Sequence, residues 1–205
     1  MSLISIRKAK KEEASQIVEL FMLAWPVKDI MNSNGITYQQ LHEAMTEIAR
    51  SEQTTYSYEN TYIAETDGKI VGAMCAYDGA DYQRLKQPIV DLLGKDSMFA
   101  HLKETKAGEF YLDSVGVHEE YRGRGIASRL FAAQIERART LGHKVAGLIV
   151  DEDKPQAESG NLFFAISSQF VPVRIPIVAF SKSSSVMSVF CPSVFLTTIT
   201  TSNEV

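Results

Sequence analysis

A mixed α/β fold is predicted by three observations. Glu109–Leu130 reads as a strand, a loop of two arginines and two glycines, and the first turns of a helix. Two β-branched runs upstream are joined by Asp67-Gly68, and helical periodicity recurs between the strand candidates. With 205 residues and 45% hydrophobic content, the chain can bury one sizeable core. The formal charge of −4 excludes a general nucleic-acid binder, which carries a basic excess. Cys75 and Cys191 lie far apart and follow no metal-ligand spacing, as do the four histidines, so no metal site is expected. The absence of a signal-like apolar start or a long apolar run predicts a cytoplasmic protein with no membrane contact.

Taken in order, Leu3–Arg7 is a short strand. Ala14, Ile17, Val18 and Phe21 then make one face of a helix that loses its period before Pro26. Residues 27–38 read as irregular because of Asn32, Asn34 and Gly35. Thr37 and Gln40 form a capping box ahead of a helix that turns Leu41, Ala44, Met45, Ile48 and Ala49 inward. Tyr62–Thr66 and Lys69–Tyr77 are strands, and Asp67-Gly68 between them favours a two-residue hairpin turn. A helix follows over Tyr82–Leu93, with Leu85, Ile89, Leu92 and Leu93 apolar.

The strand Phe110–Val117 comes next. Strict alternation puts Glu109, Tyr111, Asp113, Val115 and Val117 on one face. From Ile126 the apolar positions Ile126, Leu130, Phe131, Ile135, Ala138 and Leu141 recur at helical steps until Gly142. Residues 145–150 form a buried strand that ends at Asp151.

Arg122-Gly123-Arg124-Gly125 turns the chain at a helix N-terminus, where unpaired N–H groups and the helix dipole favour an anion. No Gly-Lys-Ser/Thr closes the loop, and Ile126-Ala127-Ser128 breaks a GxGxxG pattern. What remains is Arg-x-x-Gly-x-Ala at Arg122, Gly125 and Ala127, directly after a strand, with two arginines that suit a diphosphate.

At these residues the chain resembles the GNAT superfamily of acyl-CoA-dependent N-acyltransferases, whose central motif reads Arg/Gln-x-x-Gly-x-Gly/Ala in this setting. The resemblance implies a mostly antiparallel sheet flanked by helices, in which the central strand and its successor run parallel and splay into a V. It implies acetyl-CoA as cosubstrate, held at Val115, Gly116, Val117, Arg122, Gly123, Arg124, Gly125, Ile126 and Ala127. It further implies acetyl transfer to a primary amine of a small molecule or peptide, by direct attack. Glu109 stands ahead of Arg122 at the spacing that histone-modifying members use for their glutamate, and Asp113 is the second candidate base.

The chain departs from the family pattern after Asp151. No tyrosine follows Tyr121, so the hydroxyl that many members use as general acid is missing from its usual place, where Phe163 and Phe164 stand nearest. The expected organisation is a GNAT domain over 1–180 and an atypical Ser/Thr/Val-rich tail over 181–205, partly irregular or packed on a second subunit of a homodimer. A non-catalytic acyl-CoA-binding module is the alternative reading.

Overall fold

The computed structural model describes residues 3–151, 173–180 and 185–191. In chain order the elements are β1 (Ser5–Lys8), α1 (Ala14–Met22), α2 (Val27–Asn34), α3 (Tyr38–Arg50), β2 (Thr61–Thr66), β3 (Lys69–Asp78), α4 (Tyr82–Leu93), α5 (Met98–His101), β4 (Phe110–Val117), α6 (Ile126–Thr140), β5 (Ala146–Asp151), β6 (Val173–Phe180) and β7 (Ser185–Cys191). The sheet order is β1-β2-β3-β4-β5-β6-β7. Neighbouring strands are antiparallel except β4–β5 and β5–β6.

One layer of the core joins α6 to the sheet through Ile126, Leu130, Phe131 and Ile135 against Val71, Met74, Phe110 and Leu112. The other joins α1 and α3 to the opposite face through Ile17, Phe21, Leu41 and Met45 against Ile63, Ala73 and Cys75. The predicted capping box is present: the Gln40 amide donates to Thr37 Oγ1 at 3.2 Å and the Thr37 amide donates to Gln40 Oε1 at 2.9 Å. Asp67 (φ 50°) and Gly68 (φ 73°) both take positive φ, as a primed hairpin turn requires.

Three expectations need correction. Residues 27–34 are helical, not irregular. Pro26 caps the start, Asn34 Nδ2 donates back to Ile30 O at 2.8 Å, and Gly35 closes the end in the left-handed region. Only Ile30 of this helix is buried, so it has too little apolar periodicity to be seen in the sequence. The second parallel pairing, β5 with β6, was not anticipated; it starts at Ile177, one residue past Pro176, whose missing donor therefore falls outside that ladder.

The third correction concerns β4. Against β3 its register runs Met74↔Val115 and then Ala76↔Leu112, so β4 carries an extra residue at Asp113-Ser114. This bulge re-phases the strand. Phe110, Leu112, Val115 and Val117 all pack toward α6, whereas Tyr111 joins a separate tyrosine cluster and Ser114 accepts from Trp25 Nε1 at 3.1 Å. Val115 and Val117 thus do not share a face with Tyr111. Beyond the bulge, β4 and α1 meet backbone to backbone: a Cβ on Gly116 would fall onto the Leu20 carbonyl.

Candidate active site

The glycine-arginine loop builds an open helix start. Gly123 and Gly125 sit at φ 74° and 73°, where an L side chain is strained, and nothing lies within 4 Å of the Cβ either would carry. Gly125 is the N-cap of α6, and no side chain caps the helix. A pocket of about 300 Å³ opens there, lined by Val117, Tyr121, Arg122, Gly123, Gly125 and the Ile126–Ser128 turn. Arg122 Nε donates to Val117 O at 3.2 Å, and Arg124 lies over the Tyr121 ring at 5.0 Å while donating to Glu120 O at 3.0 Å. Both guanidinium groups remain exposed beside the pocket. Positive charge, the helix dipole and glycine backbone converge on one volume.

The sheet opens beside this pocket. β4 and β5 pair only at Phe110↔Ala146 and Tyr111↔Gly147. From Leu112 onward the edge of β4 that faces β5 has no ladder partner in β5. Val115, Gly116 and Val117 lie on that stretch, and Val117 also lines the pocket.

At the bulge, carboxylates gather among tyrosines. Tyr77 donates to Asp113 Oδ2 at 2.6 Å and Ser114 donates to Oδ1 at 2.9 Å. Tyr82 donates to Glu104 Oε2 at 3.3 Å. The Tyr77, Tyr82 and Tyr111 rings pack within 5.7–6.5 Å of one another. Burial and the Asp113 charge push the Glu104 carboxyl up to about 7. Burial also raises Asp113, against the hydrogen bonds that favour its ionised form. These phenols are raised as well, burial first, then the Asp113 charge for Tyr77, Glu104 and Asp113 for Tyr82, and Asp113 and Glu104 for Tyr111.

The sequence profile of the acetyltransferase (GNAT) family matches residues 15–159. The chain belongs to the GNAT acetyltransferase family. No curated protein matches it. Among solved structures, a crystal structure of an acetyltransferase shares 26% identity over 82% of this chain and 92% of that one, with a TM-score of 0.67. An N-acetyltransferase from Staphylococcus aureus Mu50 shares 19% identity over 82% and 93%, at a TM-score of 0.64. An aminoglycoside N-acetyltransferase in complex with CoA shares 18% over 77% and 84%, at 0.50, and agrees in fold.

Within this GNAT frame, the residues singled out in the sequence separate into two groups. Val117, Arg122, Gly123, Gly125, Ile126 and Ala127 surround one pocket; Arg124 stands at its rim on Tyr121, and Val115 and Gly116 lead away from it along β4. Glu109 and Asp113 have different hydrogen-bond partners. Glu109 lies just before β4, accepts from Thr105 Oγ1 at 3.2 Å and sits 3.8 Å from Lys106 Nζ. The carboxylate on which the Asp113 charge acts is Glu104, which sequence reasoning missed. Its stretch between α5 and β4 has neither periodicity nor a motif; only its place in the insertion ahead of the central strand marks it. Phe163 and Phe164 lie outside the described residues.

Among the described residues, no helix is long and apolar enough to cross a membrane.

Proposed function

We propose that this GNAT protein transfers the acetyl group of acetyl-CoA to a primary amine by direct attack. The observation that carries the reading is one continuous track: the glycine-arginine pocket, the unpaired β4 edge that starts from it, and the carboxylates at the bulge. Along it, the diphosphate lies at residues 122–127, where amides, dipole and arginines meet it. The pantetheine amides pair with the backbone of Val115–Val117, and a backbone N–H there faces the thioester oxygen as negative charge develops. Thiolate is a good leaving group, so the protein's tasks are to hold amine and thioester in line and to remove one proton. Glu109 and Asp113 are the carboxylates that the sequence offers for that task.

Supporting an amine acceptor is the chemistry of the bulge, which presents carboxylates and phenols rather than a nucleophile. Cys75 is buried and its thiol is pushed up by desolvation, so it forms no acyl-enzyme. The test is calorimetric titration with acetyl-CoA followed by thiol release across a panel of alkylamines, amino acids, aminoglycosides and peptides. Binding and amine-dependent thiol release are expected. Acetyl-CoA binding without release on any amine would favour the acyl-CoA-binding module instead.

A further inference from the structure

The insertion between β3 and β4 is anchored at its root. Gly79 N donates to Glu109 O at 2.8 Å, immediately beyond the Asp78↔Phe110 pair. Lys86 on α4 then organises its far end. Its Nζ donates to Leu102 O at 2.8 Å, Ala100 O at 3.2 Å and Phe99 O at 3.4 Å, and lies 5.0 Å from the Tyr82 ring centre. These contacts fix the segment that follows α5 and bring Glu104 to Tyr82, beside Asp113.

Three features of this arrangement ask for a ligand. First, among the described residues neither Glu104 nor Asp113 has a cation within ion-pair distance; Lys86 acts on Glu104 through its field, but its donors are committed to carbonyls. Second, Glu104 and Asp113 are half-buried residues, while Tyr56, Tyr77, Tyr82 and Tyr111 around them are buried. Third, the Tyr111 ring is only 3% exposed and packs on Tyr77 and Tyr82, so it walls the carboxylates with a phenol face. Two uncompensated carboxylates and phenol rings fit one chemistry, a primary ammonium.

The oxygens also differ in how far they are occupied. Both oxygens of Asp113 accept hydrogen bonds, and Glu109 is held by Thr105 and faces Lys106. Glu104 has one oxygen on Tyr82, and its other oxygen has no hydrogen-bond partner among the described residues. We propose that the Glu104–Asp113 pair receives the acceptor's ammonium group and that Glu104 is the residue that takes its proton. This deepens the acetyltransferase reading and rests on it.

The step balances without a further reactant. Glu104 carboxylate takes one proton from R–NH3+, and the freed lone pair forms a C–N bond at the thioester carbonyl. The C–S bond then breaks with its electron pair on sulfur, and the second N–H proton, lost as the intermediate collapses, ends on the thiolate. Glu104 returns its proton to solvent, leaving amide and CoA thiol. The titratable groups that interact with Glu104 are Asp113 and Tyr111 of β4, Tyr82 and Lys86 of α4, Cys75 of β3, and Tyr56. Raised by burial and by Asp113 to about 7, Glu104 is ionised above neutrality and poised to exchange a proton with an amine.

The experiment compares wild type with Glu104→Gln and Glu104→Asp. Acetyl-CoA affinity, measured by calorimetry, should stay within about twofold in both, because the phosphate pocket is elsewhere. With alkylamines, 1,4-diaminobutane included, wild-type kcat/KM should rise with pH and level off near neutrality. Glu104→Gln should lose that break and at least ~100-fold in kcat/KM, the usual worth of a general base, and Glu104→Asp should recover part of it. A Gln variant that keeps both the break and the rate overturns the proposal. If wild type binds acetyl-CoA but releases no thiol with any amine, the acetyltransferase reading has failed, and carboxyl 13C NMR judges the receptor on its own. There 1,4-diaminobutane must shift the Glu104 titration to lower pH, and an unmoved titration overturns it.

Discussion

Replacing Gly125 by glutamate puts a carboxylate where the diphosphate is expected. The position allows a clean perturbation, because no heavy atom lies within 4 Å of the added Cβ and the site already borders the pocket. The cost to the fold is confined to the left-handed backbone at φ 73°, about 1–2 kcal/mol for a non-glycine residue. The cost to binding is larger. At about 4 Å, an effective dielectric near 20 gives like unit charges a repulsion of about 4 kcal/mol, or roughly three decades in affinity. Gly125→Ala separates the two terms, since it carries the same backbone strain without the charge. Calorimetric titration with acetyl-CoA, with a thermal melt as control, should show Ala weakened by tenfold or less and Glu by at least ~100-fold. Added salt should reduce the difference. Equal affinity in all three proteins would remove the phosphate from this loop.

Three other outcomes follow from the packing and the titrating groups. With its carboxyl raised from 4.5 to about 7, Glu104 binds more proton in the folded than in the unfolded state over that window, so it makes stability fall as pH rises through it, by about 3 kcal/mol. Urea midpoints should therefore drop less steeply across this range in Glu104→Gln, and parallel curves would contradict the shift. Gly116→Ala drives a methyl into the Leu20 carbonyl and should destabilise by roughly 3 kcal/mol or prevent folding, whereas a loss below about 1 kcal/mol would mean that α1 moves away freely. Lys86→Met leaves three carbonyls short of their shared donor. It should speed amide exchange over 98–104 and leave acetyl-CoA affinity unchanged; unchanged exchange would show that the ammonium does not hold the segment.

The sequence displayed what depends on local chemistry. β4 runs Phe110–Val117, α4 runs Tyr82–Leu93 and α6 begins at Ile126, as periodicity and the glycine loop predict. The parallel pairing of β4 with β5 and its early end were implied by the motif. The features that escaped depend on partners distant in sequence. The bulge at Asp113-Ser114 exists only against the register of β3, so alternation alone put Val115 and Val117 on the wrong face. Gln134, fully buried on α6, looks like a surface residue until its amide is seen donating to Met74 O at 3.0 Å and Asn60 O at 3.2 Å. Glu104 is one acid among many until Lys86 ties its segment down.

The closure at the root of the insertion also bears on how such a protein changes. Because Asp78 faces Phe110 in the ladder and Gly79 bonds to Glu109, everything between them is the connection of a hairpin that is already complete. The span can be exchanged as a cassette: another sequence of similar length, bringing its own residues to the bulge, leaves strand register and helix α6 as they are. On this plan the connection between β3 and β4 can change while the pocket at the start of α6 stays as it is.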